Sequence, residues 1–567
     1  MPSLSDAAVR LYRRVFGAPP GASLSAEGLE VVLDGNDAVA VAEAGIAQHV
    51  VLGGSFPAGG ASAWSAEFAG PANLHGTALS AGSAQGPRSV IAAATGLALA
   101  GRRATAFLSG PDVAAAQDLL AAAAGRHAPL VLHLTNRALA AHGGALGGGH
   151  EAFYLSRDSG FFLLFAANVQ QAVDFTYIAR RVAERTLIPG LVAMDSESTA
   201  LAVQDVRLLS PGQVNGYLGP AGEAIEVPTA AQKLLFGETR RSVPRWHDLD
   251  RPVLNGALYG PESFALGALA NRPYFQDYLD ESLAESLALF AQKTGRRHGL
   301  VSHYELDDAE IVLLVQGGAI ETARAVARHV RENHKVRIGV VGVHSFRPFP
   351  AAEIAACLSG KRAVVVLERV DAPLGNDGPL SGEVRAALDR ALSNGGRERT
   401  EADYPVLAPA ERPRCFSVSY GIGGLPLRAA DLVCLCSELE SRNRSHLVLG
   451  AAFDDVSARH PKREVLIDTL RRAYPDVGEI GVRGSGAPPD LRPEGALTVA
   501  IHRMGEHGAT DLFGETASLL QTLEGGCIRS RRAFSWDRWS TCNVDFFTHA
   551  ETSFQDPGDE VAVDFAV

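Results

Sequence analysis

Residues 128–165 read APLVLHLTNRALAAHGGALGGGHEAFYLSRDSGFFLLF, and the fold is decided here. From Pro129 to Leu134 the run is almost wholly apolar, the pattern of a strand buried on both faces of a parallel sheet. Asn136 and Arg137 stand where it ends. Gly143, Gly144, Gly147, Gly148 and Gly149 follow, flanked by His142 and His150. A loop so poor in Cβ atoms lets a ligand or a second chain come close to the backbone. Open α/β sheets bind ligands beyond the carboxyl ends of their strands, so Arg137 and this loop are the first candidates for a site. The competing reading is a surface loop with a solvated arginine.

Outward from this stretch the alternation continues. Residues 29–33 suit a strand, Asp34-Gly35-Asn36 a turn, and Asp37 opens an alanine-rich helix with a carboxylate in its first turn. Residues 49–52 form a second strand. Asp112 can cap a helix over 113–125. Residues 161–165 and 190–194 are strands, with a helix over 173–184 between them. Strands alternating with helices imply a parallel sheet covered on both faces. Residues 205–250, with Pro211, Gly212, Pro228 and Pro244, lose the rhythm and read as excursion and linker. A second α/β unit has strands at 310–315, 336–343 and 363–367 and a helix over 324–333. A third begins near Arg412, with strands at 430–434 and 497–501, a helix at 512–523 and a last strand at 561–567.

The formal net charge is −12, which argues against a nucleic-acid binder. No apolar run approaches the roughly 20 residues of a membrane span. Arg10, Arg13 and Arg14 are followed by no apolar core, so no secretory signal is expected. Six cysteines without a Cys-x-x-Cys spacing leave no basis for a disulfide scaffold, structural zinc or an iron–sulfur cluster in this chain. A cytoplasmic protein is expected. His142 and His150 have no carboxylate or cysteine at ligand spacing, so no metal is expected there. Residues 502–509, HRMGEHGA, sit between a strand and a helix, as an anion site does; with only two glycines the dinucleotide fingerprint is not met, and packing alone is the better explanation. Arg347 ends one strand, as an anion contact or a pin at a domain interface. Glu368 and Arg369 end the next, and a mutual ion pair is expected if the two strands are neighbours.

Taken together, these segments resemble the front half of the pyruvate:ferredoxin (flavodoxin) oxidoreductases, a thiamine diphosphate-dependent family. The likeness runs through DGNDAVAVAE (34–43), the 128–165 stretch, residues 167–195, RPVLNGALYGPESFALGALANRPYF (251–275), EIVLLVQGGAIETARAV (310–326), RIGVVGVHSFRPFP (337–350), VVVLERVDAPLGNDGPLSGEV (364–384) and SYGIGG (419–424). It implies three α/β domains: a thiamine diphosphate-binding-like parallel sheet, a transketolase C-terminal-like domain and a partial gamma domain. The expected boundaries are an N-terminal extension at 1–28, a pyrimidine-binding-like domain at 29–245, the second domain at 246–400 and the third at 401–567.

The resemblance also implies roles. Arg137 matches the arginine that contacts the 2-oxo acid carboxylate, a task suited to a permanently charged, forked donor. Gly143, Gly144, Gly149 and His150 match the loop bordering that pocket. Two departures stand out. Where the family has a glutamate on the pyrimidine ring, this chain reads Ser83-Ala84-Gln85-Gly86-Pro87-Arg88, and only Gln85 offers a longer side-chain oxygen. Where the family has a threonine-bearing turn, it reads Ser55-Phe56-Pro57-Ala58-Gly59-Gly60. The implied protein is an α-like subunit of an oxidoreductase acting on a 2-oxo acid, pyruvate by preference, with coenzyme A. Thiamine diphosphate would be shared with a partner chain that holds the diphosphate, Mg2+ and iron–sulfur clusters; ferredoxin or flavodoxin would accept electrons, in an oligomer. The alternative is a catalytically degenerate paralogue with a structural or regulatory role.

Overall fold

The computed structural model describes residues 28–53, 80–145, 147–246, 258–375, 377–395, 401–451, 461–484, 489–491, 497–504, 527–535, 540–548 and 565–566. Strand β1 (Leu29–Asp34) runs into helix α1 (Gly35–Ile46), whose N-cap Asp34 accepts a 2.8 Å bond from the Asp37 amide. Every residue of α1 is buried, which the alanine-rich sequence permits. Then come β2 (His49–Leu52), β3 (Ser80–Ser83), α2 (Gly86–Leu99), β4 (Ala104–Ser109), β5 (Val131–Asn136), β6 (Phe162–Phe165), α3 (Val169–Thr186) and β7 (Gly190–Asp195). These strands form a parallel sheet in the order β6-β7-β5-β4-β2-β3. All of β4 to β7 is buried, as expected of a parallel sheet covered on both faces.

Beneath the sheet a polar network is sealed from water. Glu43 of α1 accepts from Arg180 of α3 at 2.9 and 3.1 Å and contacts His133 Nε2 of β5 at 2.8 Å. All three side chains are buried. Burial opposes the Glu43 charge, but Arg180 and His133 outweigh it and hold its carboxyl below the usual range.

The second sheet runs β11-β13-β12-β15-β16-β17-β18. Its strands are β11 (Val301–Tyr304), β12 (Ile311–Val315), β13 (Ile338–Val343), β15 (Ala363–Glu368), β16 (Arg414–Ser419), β17 (His446–Leu449) and β18 (Gly481–Val482), parallel apart from β11. Helix α4 (Ala319–His334) follows β12. Short β14 (Ser345–Arg347) leaves this sheet to pair antiparallel with β6 of the first. The two sheets are therefore stitched together by main-chain bonds. Strands β16 to β18 extend the second sheet past residue 401.

Several expectations change. Residues 430–434 are helical, inside α5 (Ala429–Glu438): the buried set Ala429, Leu432, Leu435 and Cys436 has helical spacing. Residues 205–246 are structured. Strand β8 (Val203–Leu208) pairs antiparallel with β1, and β9 (Ala224–Glu226) with β10 (Thr239–Arg241). Arg347 and Glu368 do not meet, because Arg347 lies on β14, paired with β6 of the first sheet, while Glu368 ends β15 of the second. Arg347 binds Glu383 at 2.7 Å, while Glu368 accepts from the Leu380 and Ser381 amides. A third sheet, β1-β8-β20-β21-β19-β22, takes in β19 (Leu497–Met504), β20 (Cys527–Ser535), β21 (Ser540–Thr548) and β22 (Phe565–Ala566). Of the expected last strand, Phe565–Ala566 pairs in parallel with β19. The 512–523 helix and residues 55–60 lie outside the described residues. Among the described residues no helix is long and apolar enough to cross a membrane.

Candidate functional site

At the carboxyl edge of the first sheet, Asn136 of β5 is paired with Asp195 of β7. Arg137 follows directly, half-buried. Its backbone bridges Gly148, the Ala138 amide donates to the Gly147 carbonyl at 3.0 Å, and the Gly149 amide to the Asn136 carbonyl at 3.3 Å. The loop thus folds back on the strand end. Its two halves differ. Gly143 and Gly144 are exposed with nothing near a would-be Cβ; at Gly147 a Cβ would lie 2.2 Å from Gly424 Cα, and at Gly148 2.7 Å from Arg369 Nη1. A Cβ on Gly149 would meet the Glu151 carboxylate at 2.3 Å. Glycine is needed at 147 and 148 because Gly424 and Arg369 press on the backbone there, and at 149 because Glu151 does.

His150 is buried rather than presented at an open surface. Its Nε2 lies 2.7 Å from Asp195 Oδ1, its amide donates to the Arg369 carbonyl at 2.8 Å, and its ring packs on Phe165 at 4.7 Å between centroids. Asp195 also accepts from the Gly318 amide at 2.6 Å and faces Arg369 Nη1 at 3.3 Å; Arg369 Nη2 reaches Glu197 at 3.0 Å. Glu197 in turn accepts from the Gly148 amide at 2.5 Å. Burial opposes the Asp195 charge, but His150, Arg369 and the Gly318 amide outweigh it and hold the carboxyl well below the carboxylate range. An ionised carboxylate only accepts, so His150 Nε2 is the donor. Burial likewise works against the Arg369 charge, and Glu197 and Asp195 more than restore it. The loop is therefore locked by a charged cluster shared between the two domains. Sequence reading named His150 and Arg369 but had no means to pair them through Asp195 and Glu197.

Beside Arg137 in the chain, Asn136 is fully buried with neither amide atom hydrogen-bonded; Asn36 Nδ2 and Thr199 Oγ1 are likewise buried and unpartnered. Asn36 accepts from Thr135 at 2.9 Å. Orphaned groups of this kind cost about 1–3 kcal/mol each unless water or a ligand meets them. The sequence offered Asn136 only as the end of an apolar run.

Gln85 lies elsewhere along the same edge. It is the N-cap of α2, exposed and without a capping bond from its side chain. Its strand β3 is exposed at all four residues. Arg88 pairs with Asp118 at 2.5 Å on the surface. From β5 to β3 is three strand steps, about 14 Å at the usual strand spacing. No carboxylate stands at residues 83–88, and Glu43 is committed to Arg180 and His133. The pyrimidine-side acid that thiamine diphosphate requires is thus not provided by these residues, whereas Arg137 and the orphaned amide suit a carboxylate-bearing ligand. Among the described residues no three His, Cys, Asp or Glu side chains gather as a metal set.

Residues 63–239 match the family model "Pyruvate flavodoxin/ferredoxin oxidoreductase, thiamine diP-bdg", and residues 309–398 match "Pyruvate:ferredoxin oxidoreductase core domain II". A probable pyruvate-flavodoxin oxidoreductase of Escherichia coli is 25% identical over 433 residues, 75% of this chain and 34% of that protein. Pyruvate synthase subunit PorA of Thermotoga maritima is 29% identical over 351 residues, 60% of this chain and 77% of the subunit. Among solved structures, 2-oxoglutarate:ferredoxin oxidoreductase from Magnetococcus marinus aligns over 75% of this chain and 68% of its own at 16% identity, with a TM-score of 0.47. The chain spans about a third of the length of the Escherichia coli and Trichormus variabilis pyruvate-flavodoxin oxidoreductases it matches. With both modules matched in family order, this α/β chain is similar to the pyruvate:ferredoxin/flavodoxin oxidoreductases over those residues.

Proposed function

We propose that this chain is the α-like subunit of a 2-oxo acid:ferredoxin or flavodoxin oxidoreductase, with pyruvate as the favoured substrate and coenzyme A as acyl acceptor. The observation that carries the reading is Arg137, half-buried at the carboxyl end of β5 beside the unpartnered Asn136 amide. A guanidinium in that place offers a forked, permanently charged partner to the substrate carboxylate. The similarity to a PorA subunit supports assembly with other chains. Thiamine diphosphate would supply the electron sink for decarboxylation, held at its diphosphate and Mg2+ by a partner that also carries the iron–sulfur clusters. This chain's own share is to bind and orient the acid and, through the locked second half of the loop, to keep water off one side of it.

A second reading, a degenerate paralogue with a structural or regulatory role, is favoured by the exposed Gln85 and the carboxylate-free 83–88 segment. Co-purification with the partner, cofactor analysis and pyruvate-dependent acceptor reduction separate the two. Cofactor-loaded complex that oxidises pyruvate, and loses most of that activity in Arg137→Ala, supports the first. A loaded complex inert toward every 2-oxo acid supports the second.

A further inference from the structure

Residues 211–246 pack as an annex at the amino ends of β2 and β4, the edge opposite Arg137. The annex is pinned by buried arginines. Arg103, just before β4, binds Glu184 through Nε at 2.6 Å and Nη2 at 2.8 Å, and Ser242 donates to the same carboxylate at 2.7 Å. Arg240 donates to the Glu184 and Arg185 carbonyls at 2.9 and 2.8 Å, and to those of Arg241 and Ser242 at 2.9 and 3.0 Å. These bonds fix the β9–β10 hairpin and the chain after it.

On this rigid base Arg102, Arg241 and Arg245 are exposed. The Arg245 backbone bridges Ala100, and its Cγ lies 2.6 Å from where a Cβ on Gly101 would stand, next to Arg102. The Arg241 guanidinium lies over Gly222, with Nη2 3.1 Å from that residue's would-be Cβ. None of the three forms an ion pair with a described carboxylate, unlike Arg88, Arg157 and Arg207 on the same domain's surface. The charges acting on Arg241 are those of Arg245 and Arg102: burial first, then these two, lowers its pKa. His49 at the start of β2 is likewise held toward neutrality by burial and by Arg102. Three like charges with no ion-pair partner among the described residues, in a chain of net charge −12, repel one another, and an anion bound among them would offset that repulsion.

We infer that Arg102, Arg241 and Arg245 form an anion site for a di- or triphosphate group, remote from Arg137. Guanidinium forks match phosphate oxygens, and a polyphosphate can engage all three at once. The group could come from free pyrophosphate or from a nucleotide. The test is calorimetric titration of the full chain with pyrophosphate, ATP, AMP and sulfate at two salt concentrations. Pyrophosphate and ATP are expected to bind and to weaken with salt, with AMP and sulfate much weaker. Equal affinities for the first two identify free pyrophosphate as a sufficient ligand; tighter ATP identifies a nucleotide. Arg102→Gln, Arg241→Gln and Arg245→Gln should each weaken binding by roughly fivefold, as for an exposed charge contact, and the triple variant should abolish it. The matching Arg→Lys variants should retain part of it, and Arg137→Gln should leave it unchanged. No binding, binding equal to that of sulfate, an unaffected triple variant, or loss in Arg137→Gln would overturn the inference.

Discussion

The carboxyl ends of the strands of one parallel sheet are treated in opposite ways. At β5 and β7 the chain is closed: the second half of the glycine loop, His150 and Asp195 are buried against Arg369 and Gly318 of the second domain. At β3, about 14 Å along the same edge by strand spacing, all four strand residues and Gln85 face outward. The closed end invests charge in holding two domains around a loop that borders Arg137. Among the described residues β3 is the last strand of the sheet, a position proteins usually cover or blunt, and residues 83–88 hold no carboxylate. One edge of one sheet thus has a locked, buried stretch and an exposed one.

Breaking the closed end has the largest expected effect. Arg369→Ala leaves buried Asp195 and half-buried Glu197 without their shared cation, a loss of about 3–5 kcal/mol, read as a lower midpoint in urea denaturation. Asp195→Asn combined with Glu197→Gln should recover part of it in the Arg369→Ala background. An unchanged midpoint would mean that the cluster is not what holds the domains. Next is Arg137→Ala: removing a charge-assisted partner of the substrate carboxylate should weaken pyruvate binding by about 1.5–3 kcal/mol, measured by titration of the assembled complex. Arg137→Lys should recover only part of the loss, since the fork is gone.

The closed end should also weaken in acid. Burial pushes His344, packed between β6 and β11 with Nε2 2.9 Å from Ser302 Oγ, down to about 3. The folded protein therefore keeps it neutral while the unfolded chain takes up a proton near pH 6.5. Stability from this group is complete above pH 6.5 and is lost as pH falls toward 3. Between pH 7 and pH 5 the loss is about 2 kcal/mol, and His344→Gln should flatten that dependence in denaturant melts.

The smallest effect sharpens the open end. Gln85→Glu puts a carboxylate in front of the α2 N-terminus, worth about 0.3–1 kcal/mol of stability. It should raise the residual activity of the assembled complex, as should Pro87→Glu. A fall in activity with stability intact would argue that the pyrimidine-side acid comes from elsewhere.

Much of this was legible because buried parallel strands are written as apolar runs: β5, β7, β12, β13 and β15 all stand where the sequence puts them. Arg137 at the carboxyl end of β5 follows from the same rule. The strand expected at 430–434 misled because a short apolar segment does not by itself distinguish strand from helix, and only packing selected the helical set. The linker reading of 205–250 failed because Arg103, Glu184 and Arg240, scattered along the chain, organise it through side-chain bonds that leave no periodicity. The lock on His150 was hidden for the same reason: Asp195 and Arg369 are 174 positions apart. The orphaned state of Asn136 depends on what fails to surround it, which no local pattern records.

The central claim is that this chain supplies the acid-binding side of the site and not the group that activates the cofactor. The most direct test is deuterium exchange at C2 of thiamine diphosphate, followed by proton NMR, with this chain alone and with its partner. Exchange no faster than in buffer for the chain alone, and acceleration only on adding the partner, is the predicted result. Rapid exchange catalysed by this chain by itself would contradict it.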